Sequence, residues 1–153
     1  GHNSSPAYDR LRGFRNAMAE HRIPVPENFV VVVDRTEERG DKTGYEAMQR
    51  LLALKERPDA VFCYNDMTAI GAIEAASAAG LRVPEDIAVI GCGNMPYNDY
   101  LRIPLSSIDH GTAELGRIAG ELALELTSHP EQPPKNMLVP PTLMARASTT
   151  GAV

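Results

Sequence analysis

The residues with the most chemical reach stand at the ends of apolar runs. In VFCYNDMTAIGAI, Val61 to Ile73, an apolar stretch runs straight into Asn65 and Asp66, and a helical pattern of small residues follows at once. An amide beside a carboxylate at such a junction has two uses. Asp66, at the edge of the helical pattern, can accept the free backbone N–H groups of a first turn, which makes it the expected cap. Asn65 sits one residue earlier and offers two donors and an acceptor, which suits a ligand carrying hydroxyls. Other clusters argue for less. GCGNMP, from Gly91, contains a G-x-G but lacks a third glycine and opens no clear helix, so it is a weak dinucleotide signal. Ser106, Ser107, Asp109 and His110 lie close together in sequence. The members of a catalytic triad are assembled by the fold, so adjacency lends that reading no support. Neither a phosphate-binding G-x-x-x-x-G-K-[ST] loop nor a G-x-S-x-G nucleophile elbow occurs. The four histidines and two cysteines show no metal-ligand spacing. The expectation is a protein that is not an enzyme and carries no cofactor and no metal.

The elements that must position these residues alternate. Ala7 to His21 has apolar residues at Leu11, Phe14, Ala17 and Met18, the spacing of a helix. Phe29 to Val33, FVVVV, reads as a strand buried on both faces. Asp34 to Lys42 is polar and reads as a loop, and Thr43 to Leu54 as an amphipathic helix. Ala60 to Tyr64 is the next expected buried strand. Met67 to Ala79 is a helix that Gly80 should stop in the left-handed conformation. Ile87 to Gly91 is a further strand, Cys92 to Pro104 is irregular, and Leu105 to Ile108 is a short strand. Ala113 to Thr127 is a helix, and the tail around Pro140 and Pro141 holds one or two short strands. This order predicts an α/β fold: three layers, with a parallel sheet covered by helices on both faces. In such sheets ligands bind beyond the carboxyl ends of the strands. That singles out the loop after Asp34, Tyr64-Asn65-Asp66, and Cys92-Gly93-Asn94.

Composition narrows the partners. With 153 residues the chain can bury a core of its own, and its formal net charge of −5 is unsuited to holding nucleic acid directly. Cys63 and Cys92 each close an apolar run and read as buried free thiols, which suits a reducing, cytoplasmic setting. No apolar run approaches the roughly 20 residues that span a bilayer, and the polar opening GHNSSPAYDR is no signal peptide, so no membrane partner is expected. A doubly wound domain that opens on a helix also leads us to expect further chain upstream.

Four stretches resemble a known family: RLRGFRNAM from Arg10, TGYEAMQRLL from Thr43, PDAVFCYNDMTAIGAIEAASAAGLRVPEDIAVIGCGN from Pro58, and IPLSSIDHGTAELGRIAGELALELTS from Ile103. With the closing LVPPTLMARAST they cover nearly the whole chain. They resemble the C-terminal part of the effector-binding domain of the lactose/galactose repressor family of bacterial transcription regulators. That domain shares its fold with periplasmic sugar-binding proteins. The resemblance implies one subdomain of two, with a helix-turn-helix and an N-terminal subdomain outside this chain. It implies a small sugar-like effector, a homodimer formed near Leu11 to Met18 and Met95 to Leu101, and operator DNA bound only through the absent head. A periplasmic sugar-binding protein of the same fold is the alternative. The resemblance also implies ligand contacts. The Arg of the R-x-x-G-F pattern is Arg10, and the Asn of the N-D-x-x-A motif is Asn65. The position five before the Gly-Tyr pair is Arg39, and the position two after the Ile of P-L-S-S-I is His110. Relatives often close the third strand on G-Y/F-D-D/N. Here Gly91-Cys92-Gly93-Asn94 stand there, so Gly93 replaces a carboxylate, and a neutral sugar stays open as a ligand only with Asn94 rotating in to serve it. Losing that counter-charge favours an anionic effector, such as a sugar acid or sugar phosphate.

Overall fold

A computed structural model describes residues 6–32, 40–133 and 135–151. Helix α1 (Pro6–Glu20) is followed by a 3-10 turn (Glu27–Phe29), α2 (Gly40–Leu52), β1 (Ala60–Phe62), α3 (Asp66–Ala78) and β2 (Ala88–Cys92). A second 3-10 turn (Pro96–Tyr100), β3 (Ser106–Asp109), α4 (Thr112–Ser128), β4 (Thr142–Met144) and the short α5 (Ala147–Thr150) complete the order. The strands form one sheet in the order β1-β2-β3-β4. Phe62 pairs with Ile90 and Ile90 with Ser106 in parallel, while Ser107 pairs with Met144 in the antiparallel closing strand. Three strands therefore point their carboxyl ends the same way, which is what gathers Tyr64, Cys92 and His110 at one edge.

The core lies between α3 and the sheet and under α2. Met48, Leu51, Ala69, Ala72, Ala75, Ala76, Ile87, Val89 and Leu105 are buried in it. The small side chains of α3 let α2 come close. A Cβ on Gly44 would lie 1.9 Å from the Thr68 carbonyl oxygen, and one on Gly71 would lie 1.8 Å from that of Asp41. Backbone meets backbone at this crossing, so both positions require glycine. Gly80, at φ +77°, stops α3 as its place in the sequence predicts.

Three expectations need correction. FVVVV does not form a strand in the described residues. The Phe29 and Val30 amides turn back to the Pro26 and Glu27 carbonyls, at 2.9 and 3.1 Å, which takes them out of any ladder. Val32 is then 81% exposed, and Val33 lies outside the described residues. The loop expected through Lys42 is already helical from Gly40. Finally, β1 is only half-buried, because no described strand pairs with its outer edge. Neither α1 nor α4 contains a fully buried residue.

Candidate functional site at the strand ends

Arg10 projects from α1 across the carboxyl ends of the sheet. Its Nη1 donates to the carbonyl oxygen of Tyr64 at 2.7 Å, and its Nη2 lies 3.3 Å from Nε2 of His110. The guanidinium carbon also stands 4.7 Å from the centre of the Tyr64 ring, a cation–π distance. One side chain from the start of the chain thus ties the end of β1 to the end of β3. His110 carries the link on to β2, because its Nε2 is 3.3 Å from Cys92 Sγ. A guanidinium can only donate, so in its contact with Arg10 the Nε2 atom is the acceptor. Among the described residues no carboxylate pairs with Arg10.

Asn65 and Asp66 exchange the roles their order suggests. The helix starts at Asp66, which makes Asn65 the half-in residue. Asn65 has an extended backbone (φ −149°), and its Oδ1 accepts the Thr68 amide at 2.8 Å. Asn65 is the cap, next in the chain to Tyr64, whose carbonyl anchors Arg10. Asp66 does not cap. Its carboxylate is 1% exposed and turns under the sheet edge. Oδ1 accepts Ser107 Oγ at 2.6 Å; Oδ2 accepts the Met95 amide at 2.8 Å and Asn98 Nδ2 at 2.9 Å. Gly91 makes room for it, since a Cβ there would sit 2.3 Å from Oδ1.

Gly93 has φ +130°, a region that glycine alone enters at ease, and it lies over Asp66 Oδ2. The position is thus more than a lost carboxylate, because its backbone has a shape that an Asp would strain. Asn94 is already engaged by its neighbours. Its Nδ2 donates to Asp109 Oδ2 and its Oδ1 accepts Arg146 Nη2, both at 2.9 Å. This binds it to the network behind the site. The Gly111 N–H at 2.7 Å, and then Asn94, hold the Asp109 carboxyl below its ordinary range. Arg39 lies outside the described residues.

The strand ends therefore bring together Arg10, Tyr64, Asn65, Cys92 and His110. Tyr64 and Cys92 are the contributors that sequence reasoning passed over, although both stand at strand tips it had marked. Nothing in the sequence marks Arg146. Its side chain reaches Asn94, Asp99 and the Leu105 carbonyl across more than 40 residues of chain. The adjacent serines are structural. Ser106 Oγ is engaged by the Arg146 backbone and Thr149, and Ser107 Oγ by Asp66 and the Asn94 amide. The His110 ring bonds neither. Burial, with the Asp66 charge adding and Arg10 opposing, pushes the Cys92 thiol up, which works against a nucleophilic thiolate. No cluster of three metal-ligating side chains occurs among the described residues. A hollow of about 620 Å³ lined by Arg15, Arg22, Pro24 and Glu27, among others, takes in none of the strand-end side chains. Among the described residues the arrangement offers a cation without a carboxylate partner, an aromatic face, an amide and an imidazole, which is equipment for holding a small polar molecule.

Known proteins carry the same arrangement of chain. The sequence matches the periplasmic binding protein-like domain family over residues 1–149. It is 42% identical over 139 residues to the HTH-type transcriptional repressor PurR of Escherichia fergusonii, covering 91% of this chain and 40% of that relative. The crystal structure of a LacI-family regulatory protein from Chloroflexus aggregans superposes with a TM-score of 0.83 at 35% identity, covering 93% of this chain and 50% of that one. A sugar-binding LacI-family transcriptional regulator from Escherichia coli, complexed with phosphate, gives a TM-score of 0.78 at 30% identity, covering 97% and 51%. The chain spans about 40% of the length of the curated relatives it matches. No described helix is long and apolar enough to cross a membrane. On sequence and fold together, the chain belongs to the periplasmic binding protein-like domain family and, within it, is similar to LacI-family transcriptional regulators.

Proposed function

We propose that this chain is part of the effector-sensing and dimerisation module of a cytoplasmic transcriptional repressor. Its effector, a sugar or sugar derivative, rests against Arg10, Asn65 and His110. The observation that carries this reading is the reach of Arg10 from α1 over the ends of β1 and β3. That guanidinium lacks a carboxylate partner among the described residues, so it is available to a ligand. Relatives that are transcriptional repressors, and a sugar-binding regulator complexed with phosphate, support the same reading. Operator DNA is bound through a separate N-terminal head. The effector acts by its different affinity for two arrangements of the subdomains that enclose it, which shifts the spacing of the heads in the dimer.

Calorimetric titration of the full-length protein with neutral sugars, sugar acids and sugar phosphates tests this. At least one class should bind. Arg10→Ala should weaken that binding by about 10- to 100-fold, the loss of a charge-assisted hydrogen bond. Binding that is unchanged in Arg10→Ala would remove the strand ends as the site.

A further inference from the structure

We propose that the effector is an anion whose binding places a proton on His110, which makes His110 the residue that selects anions over neutral ligands. This rests on the strand-end site proposed above and specifies what that site takes. Arg10 Nη2 and Cys92 Sγ both lie 3.3 Å from the same ring nitrogen. The guanidinium can only donate, so Nε2 directs its lone pair at Arg10, with the thiol alongside. An anion taken up by Arg10 faces that lone pair and is repelled. Moving a proton onto Nε2 removes the repulsion. It also releases Arg10 Nη2 from the ring and turns the imidazole into a second charged donor. The protonated ring is opposed without the anion, because it would stand 3.3 Å from a guanidinium that has no carboxylate partner among the described residues. Proton and anion therefore enter together.

The other groups around the ring do not replace this coupling. From β1 the site sees the Tyr64 carbonyl and ring, both already on Arg10. From β2 it sees the Cys92 thiol, which burial keeps protonated. From α3 the Asp66 charge is taken by Ser107, Met95 and Asn98. On β3 itself Asp109 is held by Gly111 and Asn94 and does not bond the ring, but from beyond bonding distance its charge favours the proton that Arg10, at 3.3 Å, opposes. At the start of α4, Glu114 is paired with Arg117. A neutral sugar gains nothing from the proton, so its binding is indifferent to pH.

The test is calorimetry of the full-length protein with sodium gluconate and sodium sulfate, anions that do not themselves titrate near neutrality, with glucose as the neutral control. Each titration is run in buffers of different ionisation enthalpy. The expected result is uptake of up to about one proton per anion, and an affinity that falls by up to about tenfold for each unit of rising pH between the titrations of the free and the anion-bound ring. Glucose should show neither effect. His110→Gln keeps a hydrogen-bonding group without a titrating charge, and it should abolish both effects. The imidazole carbon shifts of wild-type His110 report the same step without a variant, and they should move to imidazolium values as anion is added. Anion binding without proton uptake, or ring shifts that stay still, overturns the proposal while leaving the site in place. Neutral sugars held through Arg10 with no anion binding overturn it in the same way. If no ligand class depends on Arg10, both readings fall together.

Discussion

Three donors from two other segments converge on the buried carboxylate of Asp66, and that one side chain sets the shape of the β2 tip. Met95 comes from just before the second 3-10 turn, Asn98 from within it and Ser107 from β3. Ser107 in turn accepts the Asn94 amide at 2.9 Å. Removing the carboxylate leaves these buried donors without a partner, and unpaired buried groups cost about 1–3 kcal/mol each. Asp66→Ala is expected to lower stability by roughly 3–5 kcal/mol, read from urea denaturation midpoints at unchanged slope. Asp66→Asn keeps the shape but points an NH2 at donors, and it should fall between wild type and Asp66→Ala. A loss for Asp66→Ala below about 1 kcal/mol would mean that solvent or a rearranged loop replaces these bonds. Asn65, by contrast, is bonded locally to Thr68.

At the scale of elements, the crossing of α2 and α3 depends on two glycines. The backbone of one helix occupies the place of the missing side chain on the other at Gly44 and Gly71. An added methyl group at Gly71 meets the carbonyl of Asp41 and the amide of Tyr45, which cannot rotate away as a side chain would. Gly71→Ala gains up to about 1 kcal/mol in helix propensity, yet the forced separation of the helices outweighs it. A net loss of about 1–3 kcal/mol is expected, a fall in Tm of about 2–4 °C for each kcal/mol, measured by calorimetric melting. A Tm at or above wild type would show that the helices do not cross this closely. Part of the functional geometry hangs on this crossing, because α3 carries Asp66 and follows directly from Tyr64 and Asn65.

At the scale of the whole molecule, several surfaces are more apolar than a surface in water needs to be. Tyr100 in the second 3-10 turn is 88% exposed, Met95 just before it is half-exposed, and no residue of α1 is fully buried. These are the segments that family resemblance assigns to a dimer. The full-length protein is expected to sediment as a homodimer at micromolar concentration. Tyr100→Glu should raise the dimer dissociation constant at least about tenfold, the effect of losing a central aromatic anchor. A monomer throughout the high-micromolar range would contradict this.

Much of this architecture is local and could be read in order along the chain. Helices α1, α2 and α4 follow from their apolar spacing, α3 from its run of small residues and its end from Gly80, and the strand tips from apolar runs that stop on polar residues. FVVVV misleads because β-branched composition expresses only a tendency. The preceding Pro-containing turn takes the amides that a ladder would need. The meetings that make the site are long-range. Arg10 is 54 residues from Tyr64 and 100 from His110, and Asp66 is 41 from Ser107. Periodicity and capping depend on neighbours a few residues apart, so they are written in the local text. Which cation faces which ring depends on how closely two helices cross and how parallel strands align, and those distances arise only when the chain is packed.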